Sequence, residues 1–438
     1  MTSPFSFLDI GFILLFLPYV VLSTLPRTKV AFGSCSKVEE PQPLWKIISS
    51  RTPEVFVWLG DNVYADVRKS DFYKNPNIFS GKGKDSLLPG DRPRFQARTK
   101  EEHEKMYNKQ KNIPEYATLA STTKIIGTWD DHDCGINDAD KFFDKKDERQ
   151  ALHLDFLDVK KNDPRRKRKG VYTSYVVDKI KIILLDVRYH RDPWPWHPGA
   201  KDANASDILG EEQWQWLEEE LTSVEMDNID LTLIGSGIQV LPVTEIAREK
   251  HESWNHFLSI RAKFISLLSN SKSPIMLLSG DVHFAEVSEM VCWTGINNID
   301  KPNKRRLVEF TSSGLTHAWA GPLNWPKPMP SPLIFRSLWY FWHILGIHPW
   351  RVVAYPGLNF GEIEVYSKHV ELKAIGVDNK TKFQMSIGFE ELIGGKKSNK
   401  NEKFIHDKSN VECIPIHGKP SVTRVQISKI IFLKFVHV

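Results

Sequence analysis

Six short apolar runs, each broken by glycine, serine or a charged residue, recur along about the first two thirds of the chain. They fall within residues 29–35, 55–64, 125–138, 182–188, 231–239 and 275–283. Near-continuous apolar runs of this length are typical of strands that are buried on both faces of a sheet. In open α/β sheets, ligands collect at the carboxyl ends of such strands. The pattern therefore predicts an α/β fold whose polar groups meet at one edge of a sheet.

The third run ends in four consecutive ionisable side chains, Asp130 to Asp133, and Asn137 follows them. Carboxylates crowded in this way repel one another, which raises their pKa values unless a cation lies among them. Oxygen donors together with an imidazole suit iron, manganese, calcium or zinc. For an isolated motif of this kind, the alternative is a solvated acidic loop that caps a helix. The recurrence of polar strand ends elsewhere in the chain favours a metal site.

Four of these blocks, taken in order, resemble the alkaline phosphatase D (PhoD-like) family of the calcineurin-like metallophosphoesterase superfamily. They are G-S-C at 33–35, G-D-N-V-Y at 60–64, W-D-D-H-D at 129–133 with Asn137 behind it, and S-G-D-V-H at 279–283. The resemblance runs from about residue 29 to about residue 388. It implies a layered α/β/β/α sandwich with metal ligands on loops at the carboxyl ends of strands. It also implies phosphoester hydrolysis by a metal-held hydroxide that attacks phosphorus in line.

The same resemblance implies two metal positions. The first, of an iron type and expected to hold ferric iron, would use Cys35, Asp61, Tyr64, Asp281 and His283. The second, for calcium or another divalent ion, would share Asp61 and add Asp131 and Asn137. Thiolate and phenolate donors suit the first position, because a phenolate favours ferric iron. Structural alternatives stay open at two of these residues, a small buried side chain at Cys35 and a core aromatic at Tyr64.

The predicted catalytic residues are His132, Asp131 and Arg188. The resemblance puts His132 near the leaving group, where it would protonate the departing oxygen or orient it, with Asp133 as its partner. Arg188 can offer a planar fork to a phosphate, and it could equally pair with Asp186 as part of the structure.

Phosphomonoester hydrolysis is the activity that we expect from this set of residues. A phosphodiesterase with the same metal site is one alternative, and a non-catalytic metal-binding or glycan-binding surface protein is another. The complete ligand set argues against the last, because a binding module needs neither an open dinuclear site nor a candidate acid. One departure from the superfamily pattern is Gln239, where a histidine ligand is common, and its role stays open.

Segments at both ends of the chain lie outside the predicted phosphatase domain, residues 27–390. Residues 12–23 are apolar but too short to span a bilayer, and Pro18 interrupts them. They predict a secretory signal peptide over residues 1–23, although no Lys or Arg precedes the apolar segment. Residues 391–438 form a polar tail with a short apolar end.

Glycosylation sequons and cysteines also bear on the compartment. The sequons at Asn204 and Asn379 fit a secretory route, so we expect the endomembrane lumen, the cell surface or the extracellular space. In such an oxidising compartment, Cys292 and Cys413 could form a disulfide.

Charge and aromatic content indicate which partners are expected besides the phosphoester substrate that the resemblance implies. The formal net charge of +5 over 438 residues is too small to predict a polyanion binder, so no nucleic acid partner is expected. The basic run at 160–169 fits a mobile, solvated loop better than a polyanion site or a nuclear signal. The aromatic-rich segment 333–350 contains charged residues and a glycine, which predicts a lid or a peripheral membrane contact and not a span.

Overall fold

Two mixed sheets with covering helices make up residues 25–68, 95–194, 202, 204–242, 252–294, 303–319, 351–394 and 411–415, the part of the chain that the computed structural model describes. The strands are β1 (Thr28–Gly33), β2 (Val55–Leu59), β3 (Asp66–Arg68), β4 (Phe95–Ala97), β5 (Lys124–Thr128), β6 (Thr173–Val177), β7 (Ile180–Leu184), β8 (Leu231–Ser236), β9 (Ile275–Ser279), β10 (Ala285–Thr294), β11 (Asn303–Ser312), β12 (Arg351–Tyr355), β13 (Asn359–Val365), β14 (His369–Gly376), β15 (Thr381–Gly388) and β16 (Val411–Pro415). The helices are α1 (Leu44–Ser50), α2 (Lys100–Lys111), α3 (Pro114–Thr122), α4 (Asp131–Cys134), α5 (Lys146–Phe156), α6 (Glu211–Thr222), α7 (Leu258–Ser269) and α8 (Phe389–Ile393).

The strand order explains why the polar strand ends meet. The first sheet runs β15-β14-β13-β1-β2-β5, and its strands β1, β2 and β5 are parallel. The second sheet runs β12-β10-β11-β9-β8-β7-β6, and its strands β7, β8, β9 and β11 are parallel. All six predicted apolar runs therefore form parallel strands. The carboxyl ends of neighbouring parallel strands lie at the same edge of each sheet, as the sequence predicts.

Hydrophobic residues of both sheets form one core between them, so the sheets pack face to face. Phe32 on β1 meets Phe310 on β11 edge to face, with ring centroids 5.0 Å apart. Helices α1, α2, α3 and α5 cover the outer face of the first sheet, and α6 and α7 cover the outer face of the second. This arrangement confirms the layered α/β/β/α sandwich.

A strand from the predicted polar tail joins the second sheet. Residues 411–415 form β16, which pairs with β10 beyond the end of β12. Cys292 on β10 and Cys413 on β16 lie directly opposite each other and form a disulfide. The bond therefore ties the C-terminal strand to the edge of the sheet.

The basic run at 160–169 differs from the predicted mobile loop, because several of its arginines are held by neighbours. Arg165 is largely buried and forms a two-pronged ion pair with Asp163. The guanidinium of Arg168 lies 3.7 Å from the centroid of the Tyr172 ring, a cation–π contact. Arg165 and Arg168 are therefore already engaged by neighbouring side chains, although the sequence places them in a continuous basic run.

Three predicted segments fall outside the described residues: the signal peptide at 1–23, the aromatic segment at 333–350 and most of the tail at 391–438. Within the ranges that are described, no helix has the length and apolarity that a transmembrane span requires.

Candidate metal centre

The predicted ligands come together because each follows a strand that ends at the same edge. Cys35 follows β1, Asp61 follows β2, and Asp131 follows β5 in the first sheet. Asp281 follows β9 of the second sheet and lies against the same group of side chains, with His283 two residues further on. Both halves of the sandwich therefore contribute to the centre.

Unusual backbone geometry marks this group. Cys35, Asp61, Asp281 and His283 all have left-handed conformations, with φ values of 62°, 50°, 70° and 59°. Such conformations are uncommon for residues other than glycine, and they cluster at functional sites. Gly60, at φ 86°, precedes Asp61, and a Cβ at that position would lie 2.3 Å from the Cβ of Asp130. The glycine thus allows the two acidic loops to approach each other.

Three of the ligands predicted for the first metal position, Cys35, Asp61 and Tyr64, lie in contact with one another. The Cys35 thiol is 3.5 Å from Oδ2 of Asp61, and it is 3.7 Å from the main-chain oxygen of Asp281. The Tyr64 hydroxyl donates a hydrogen bond of 3.0 Å to the same Oδ2 atom. His283 joins this group through its ring, whose centroid lies 4.4 Å from that of His317. A thiol, a phenol, carboxylates and imidazoles therefore surround one small volume.

The second predicted position centres on Asp131. Asp61, Asp131 and His132 each offer a donor atom, and these atoms lie within 4.8 Å of one another. Asp130, Asp131 and Asp281 meet the same condition. The loop after α4 folds back on this group, because the Asp138 N–H donates to Oδ2 of Asp131 at 2.7 Å.

Asn137 lies in this returning loop, directly before Asp138. Its side chain is half-buried, and its main-chain N–H donates to Oδ2 of Asp66 at 2.8 Å. This hydrogen bond holds Asn137 beside the acidic group.

The electrostatics of the group fit bound cations. Burial raises the pKa of Asp61 well above its usual value; the His132 charge lowers it, and the charges of Asp131 and Asp130 raise it further. Burial, followed by the charge of Asp130, also raises the pKa of Asp281. Oδ1 of Asp61 is buried and accepts no hydrogen bond from any described residue. Buried carboxylates are normally paired or bound to metals, so this donor set fits bound metal ions.

Arg188 pairs with other partners than the sequence suggests. Its guanidinium is fully buried and forms ion pairs with Asp130 and Glu252, while Oδ1 of Asp131 lies 3.8 Å away. The Asp186 carboxylate instead accepts a 2.9 Å hydrogen bond from the Arg188 main-chain N–H. The arginine thus lies beside the metal group with most of its charge already compensated.

His132 has a different partner from the one expected. Its Nδ1 lies 2.7 Å from Oδ1 of Asp66, at the start of β3. Burial lowers the pKa of His132, but the charges of Asp66, Asp131 and Asp61 outweigh burial and raise it well above its ordinary value. A protonated Nδ1 bound to Asp66 leaves Nε2 as the ring atom that can face a reacting group.

The prediction that Asp133 is the partner of His132 is therefore wrong. The Asp133 carboxylate accepts main-chain hydrogen bonds of 3.1 Å from Asn62 and Asp130 and 3.2 Å from Val63. It also accepts a hydrogen bond of 3.1 Å from the hydroxyl of Tyr107. Asp133 thereby joins the loop that carries Asp61 to the loop that carries Asp131.

His317 is a site residue that the sequence reasoning missed. Its Nε2 lies 2.9 Å from the Tyr64 hydroxyl, and its Nδ1 is 3.0 Å from the Thr316 hydroxyl. Burial, followed by the charges of His283 and Lys37, lowers its pKa well below the ordinary value. The sequence signal for this residue was weak, because only Leu307, Val308 and Phe310 of the ten residues of β11 are apolar, and His317 follows the end of that strand by five residues.

Gln239 lies in a separate hydrogen-bond network. Its amide nitrogen donates to Oε1 of Glu286 at 2.6 Å and to the Thr311 hydroxyl at 2.9 Å. These partners belong to β10 and β11, so the glutamine is tied to the second sheet.

Comparison with known proteins gives one family match. The model of the PhoD-like phosphatase family matches residues 30–325, about two thirds of the chain. No curated protein matches the sequence.

Two solved structures show similarity to this chain. One, described as the structure of PhoD, has a TM-score of 0.59 and 14% sequence identity, and the alignment covers 86% of this chain and 72% of that one. The other, described as GAP50, the anchor in the inner membrane complex of Plasmodium, has a TM-score of 0.41 and 10% identity over 83% of this chain and 89% of that one. The first similarity supports the fold, and the second is too low for a structural conclusion.

Proposed function

Since this chain belongs to the PhoD-like phosphatase family and is therefore a phosphoester hydrolase, we propose that phosphomonoesters are its substrates. The observation that carries the proposal is the meeting of Asp61, Asp131 and Asp281 at one edge of the sandwich. Buried carboxylates placed this close together are unfavourable without cations, and phosphoryl transfer is a reaction in which such cations are effective.

The proposed first position holds ferric iron, and the second holds calcium or another divalent ion. The thiol of Cys35 and the phenol of Tyr64, both within 3.5 Å of Oδ2 of Asp61, support iron. Asp131 and Asn137 supply the oxygen donors that hard divalent ions prefer. Bound cations of these kinds supply Lewis acidity, which activates water and stabilises negative charge on phosphoryl oxygens.

In the proposed reaction, His132 holds the proton that the leaving oxygen requires. Asp66 fixes the ring through Nδ1, and its carboxylate stabilises the imidazolium form. Nε2 is then the donor to the departing alkoxide, which is the role of a general acid.

Arg188 has a positioning role in this proposal. Its ion pairs with Asp130 and Glu252 hold those carboxylates next to Asp131. Its Nη1 is buried and has no hydrogen-bond partner among the described residues, so this nitrogen is the one that could donate to a phosphoryl oxygen.

A comparison of two aromatic esters, together with elemental analysis of the purified protein, tests the proposal. We expect bound iron and a second metal, and faster hydrolysis of p-nitrophenyl phosphate than of bis(p-nitrophenyl) phosphate. Faster hydrolysis of the diester would identify a phosphodiesterase with the same site. A metal-loaded protein that hydrolyses neither ester would instead fit a non-catalytic surface protein.

We also propose that the protein enters the secretory pathway. The Cys292–Cys413 disulfide supports an oxidising compartment, and the sequon residues Asn204 and Asn379 are both exposed. After expression in eukaryotic cells, the protein should shift in mass on endoglycosidase treatment and should begin beyond Leu22. An unglycosylated cytosolic product that begins at Met1 would contradict this localisation.

A further inference from the structure

The metal centre must offer positive groups to a phosphomonoester substrate. A phosphomonoester is a dianion near neutral pH, and its phosphoryl oxygens need positive partners in addition to metal ions. Arg188 and Arg191 are buried arginines beside the centre, but Asp130 and Glu252 form ion pairs with them. A cation at the rim with no carboxylate partner would meet the requirement.

Lys37 has the position for this role. It lies two residues after Cys35, and its Nζ is 5.0 Å from the centroid of the Tyr64 ring. Its main-chain N–H donates to the Thr316 hydroxyl at 2.8 Å, and that hydroxyl lies 3.2 Å from the main-chain oxygen of Cys35. The base of the side chain is therefore fixed between two loops of the centre.

The ammonium group of Lys37 contacts the Tyr64 ring and forms no ion pair with the described residues. The side chain is half-buried, and among the described residues no carboxylate lies within ion-pair distance of it. By contrast, Lys373 in the antiparallel part of the first sheet pairs with both Glu364 and Glu371. The positive charge of Lys37 also acts on the centre, since it contributes to the lowered pKa of His317.

We propose that Lys37 is a substrate-binding residue whose ammonium group binds the phosphoryl oxygens of the ester. Its flexible four-carbon stem lets the charge move from the Tyr64 ring toward a bound phosphate. Because a dianion gains more from this contact than a monoanion does, Lys37 favours monoesters over diesters. The inference rests on the proposed phosphomonoesterase function and adds a determinant of its specificity.

Four forms of the metal-loaded protein test the inference: wild type, Lys37→Gln, Lys37→Arg and Lys46→Gln. Lys46 is an exposed lysine of α1, so its variant makes the same change in net charge on the outer side of the first sheet. Binding of inorganic phosphate is measured by titration calorimetry, and kinetics are measured with the monoester and the diester. Thermal unfolding confirms that each variant is folded.

We expect Lys37→Gln to weaken phosphate binding about tenfold and to raise KM for the monoester by a similar factor, with kcat within about threefold of wild type. The KM for the diester should change by about threefold or less. Lys37→Arg should restore most of the affinity, because it restores the charge, and Lys46→Gln should match wild type.

The outcomes separate this inference from the proposed function. If Lys37→Gln bound phosphate as tightly as Lys46→Gln, the inference would fail whatever the activity of the wild type. If Lys37→Gln lost phosphate binding but the wild type hydrolysed neither ester, Lys37 would remain an anion-binding residue and the proposed function would fail. Loss of binding in Lys37→Gln that Lys37→Arg does not restore would indicate packing on Tyr64 and would also overturn the inference.

Discussion

Two regions of the first sheet differ in whether their buried acidic side chains have basic partners. In the antiparallel part, β13 to β15, acidic side chains have basic partners: Glu362 accepts two hydrogen bonds from Arg51, at 2.6 and 2.7 Å. At the carboxyl ends of β2 and β5, Asp61 and Asp131 lie against each other. The first arrangement stabilises the fold, and the second stabilises it only when cations are bound.

The backbone shows the same contrast. Among the described residues of the β13–β15 region, Asn379 in a turn is the non-glycine residue with a left-handed φ, and asparagine tolerates that conformation. At the metal centre, two aspartates, a cysteine and a histidine adopt it, and for a residue such as cysteine, which rarely visits this region, it costs of order 1–3 kcal/mol. Strain and uncompensated charge therefore coincide at the centre, which indicates that this edge favours binding at the expense of stability.

The largest expected effect comes from removing a carboxylate of the centre. Asp61→Ala and Asp281→Ala should each abolish hydrolysis and lower the metal content measured by elemental analysis, because each removes charge that holds the ions. Either variant with full activity and full metal would contradict the site assignment.

The thermal stability of the metal-free proteins gives a second test of the same carboxylates. The folded-state pKa of Asp281 is raised, so its ionised form destabilises the metal-free protein, and this penalty grows as the pH rises above the unfolded-state value. Metal-free Asp281→Ala should therefore unfold at a higher temperature than metal-free wild type at pH 8, by about 2 °C or more. The difference should shrink as the pH falls toward 4.

A smaller effect is expected at the pair formed by His132 and Asp66. His132→Gln should lower kcat about 10²- to 10³-fold on an alkyl phosphate, because the poor leaving group needs a proton. The loss on p-nitrophenyl phosphate should be much smaller, and Asp66→Asn should follow the same order. Equal losses on both esters would show that His132 acts as a metal ligand and not as an acid.

Tyr64→Phe should change spectroscopy and metal retention more than folding. Burial, followed by the charge of Asp61, raises the pKa of Tyr64 well above its usual value, so only a bound cation can produce the phenolate. The iron-loaded wild type should absorb visible light by charge transfer, and Tyr64→Phe should lose or shift the band and retain iron less well. Cys35→Ser is the control for a thiolate contribution, and an unchanged spectrum in Tyr64→Phe would make Tyr64 a core residue.

The smallest effect on activity is expected from variants in the antiparallel part of the first sheet, β13 to β15, where acidic side chains have basic partners. Arg51→Ala leaves the fully buried Glu362 carboxylate without its partner, so it should reduce the free energy of unfolding by about 2–4 kcal/mol in urea titrations. Lys382→Ala breaks the more exposed pair with Asp378 and should cost about 0.5 kcal/mol or less. Both variants should keep wild-type kcat and metal content, and a loss of metal in Arg51→Ala would weaken the contrast between the two regions.

The sequence predicted the fold well where the signal is local. An apolar run followed by a break specifies a buried strand and its end, so the strands that carry Cys35, Asp61, Asp131 and Asp281 were identified from the sequence. Site residues outside such runs were harder to find. His317 lies five residues beyond β11, and only the packing of the two sheets brings its Nε2 within 2.9 Å of the Tyr64 hydroxyl.

Sequence adjacency was misleading at His132. Asp133 is its neighbour in α4, but consecutive side chains of a helix point in different directions and do not face each other. Asp133 instead completes a capping box with Asp130, which the D-x-x-D spacing at 130–133 could have indicated. The true partner, Asp66, lies 66 residues earlier in the chain.

The sequence by itself determined which donor atoms this protein carries and at which strand ends they appear, because side-chain type and apolar periodicity are local properties. The tertiary structure decided which of these groups pair: Arg188 with Asp130 and Glu252, His132 with Asp66, and Tyr64 with His317. Hydrogen bonds and ion pairs depend on distances of about 3 Å between atoms on different loops. Only the packing of both sheets fixes distances of that kind, so the partners within the centre could not be read from the order of residues.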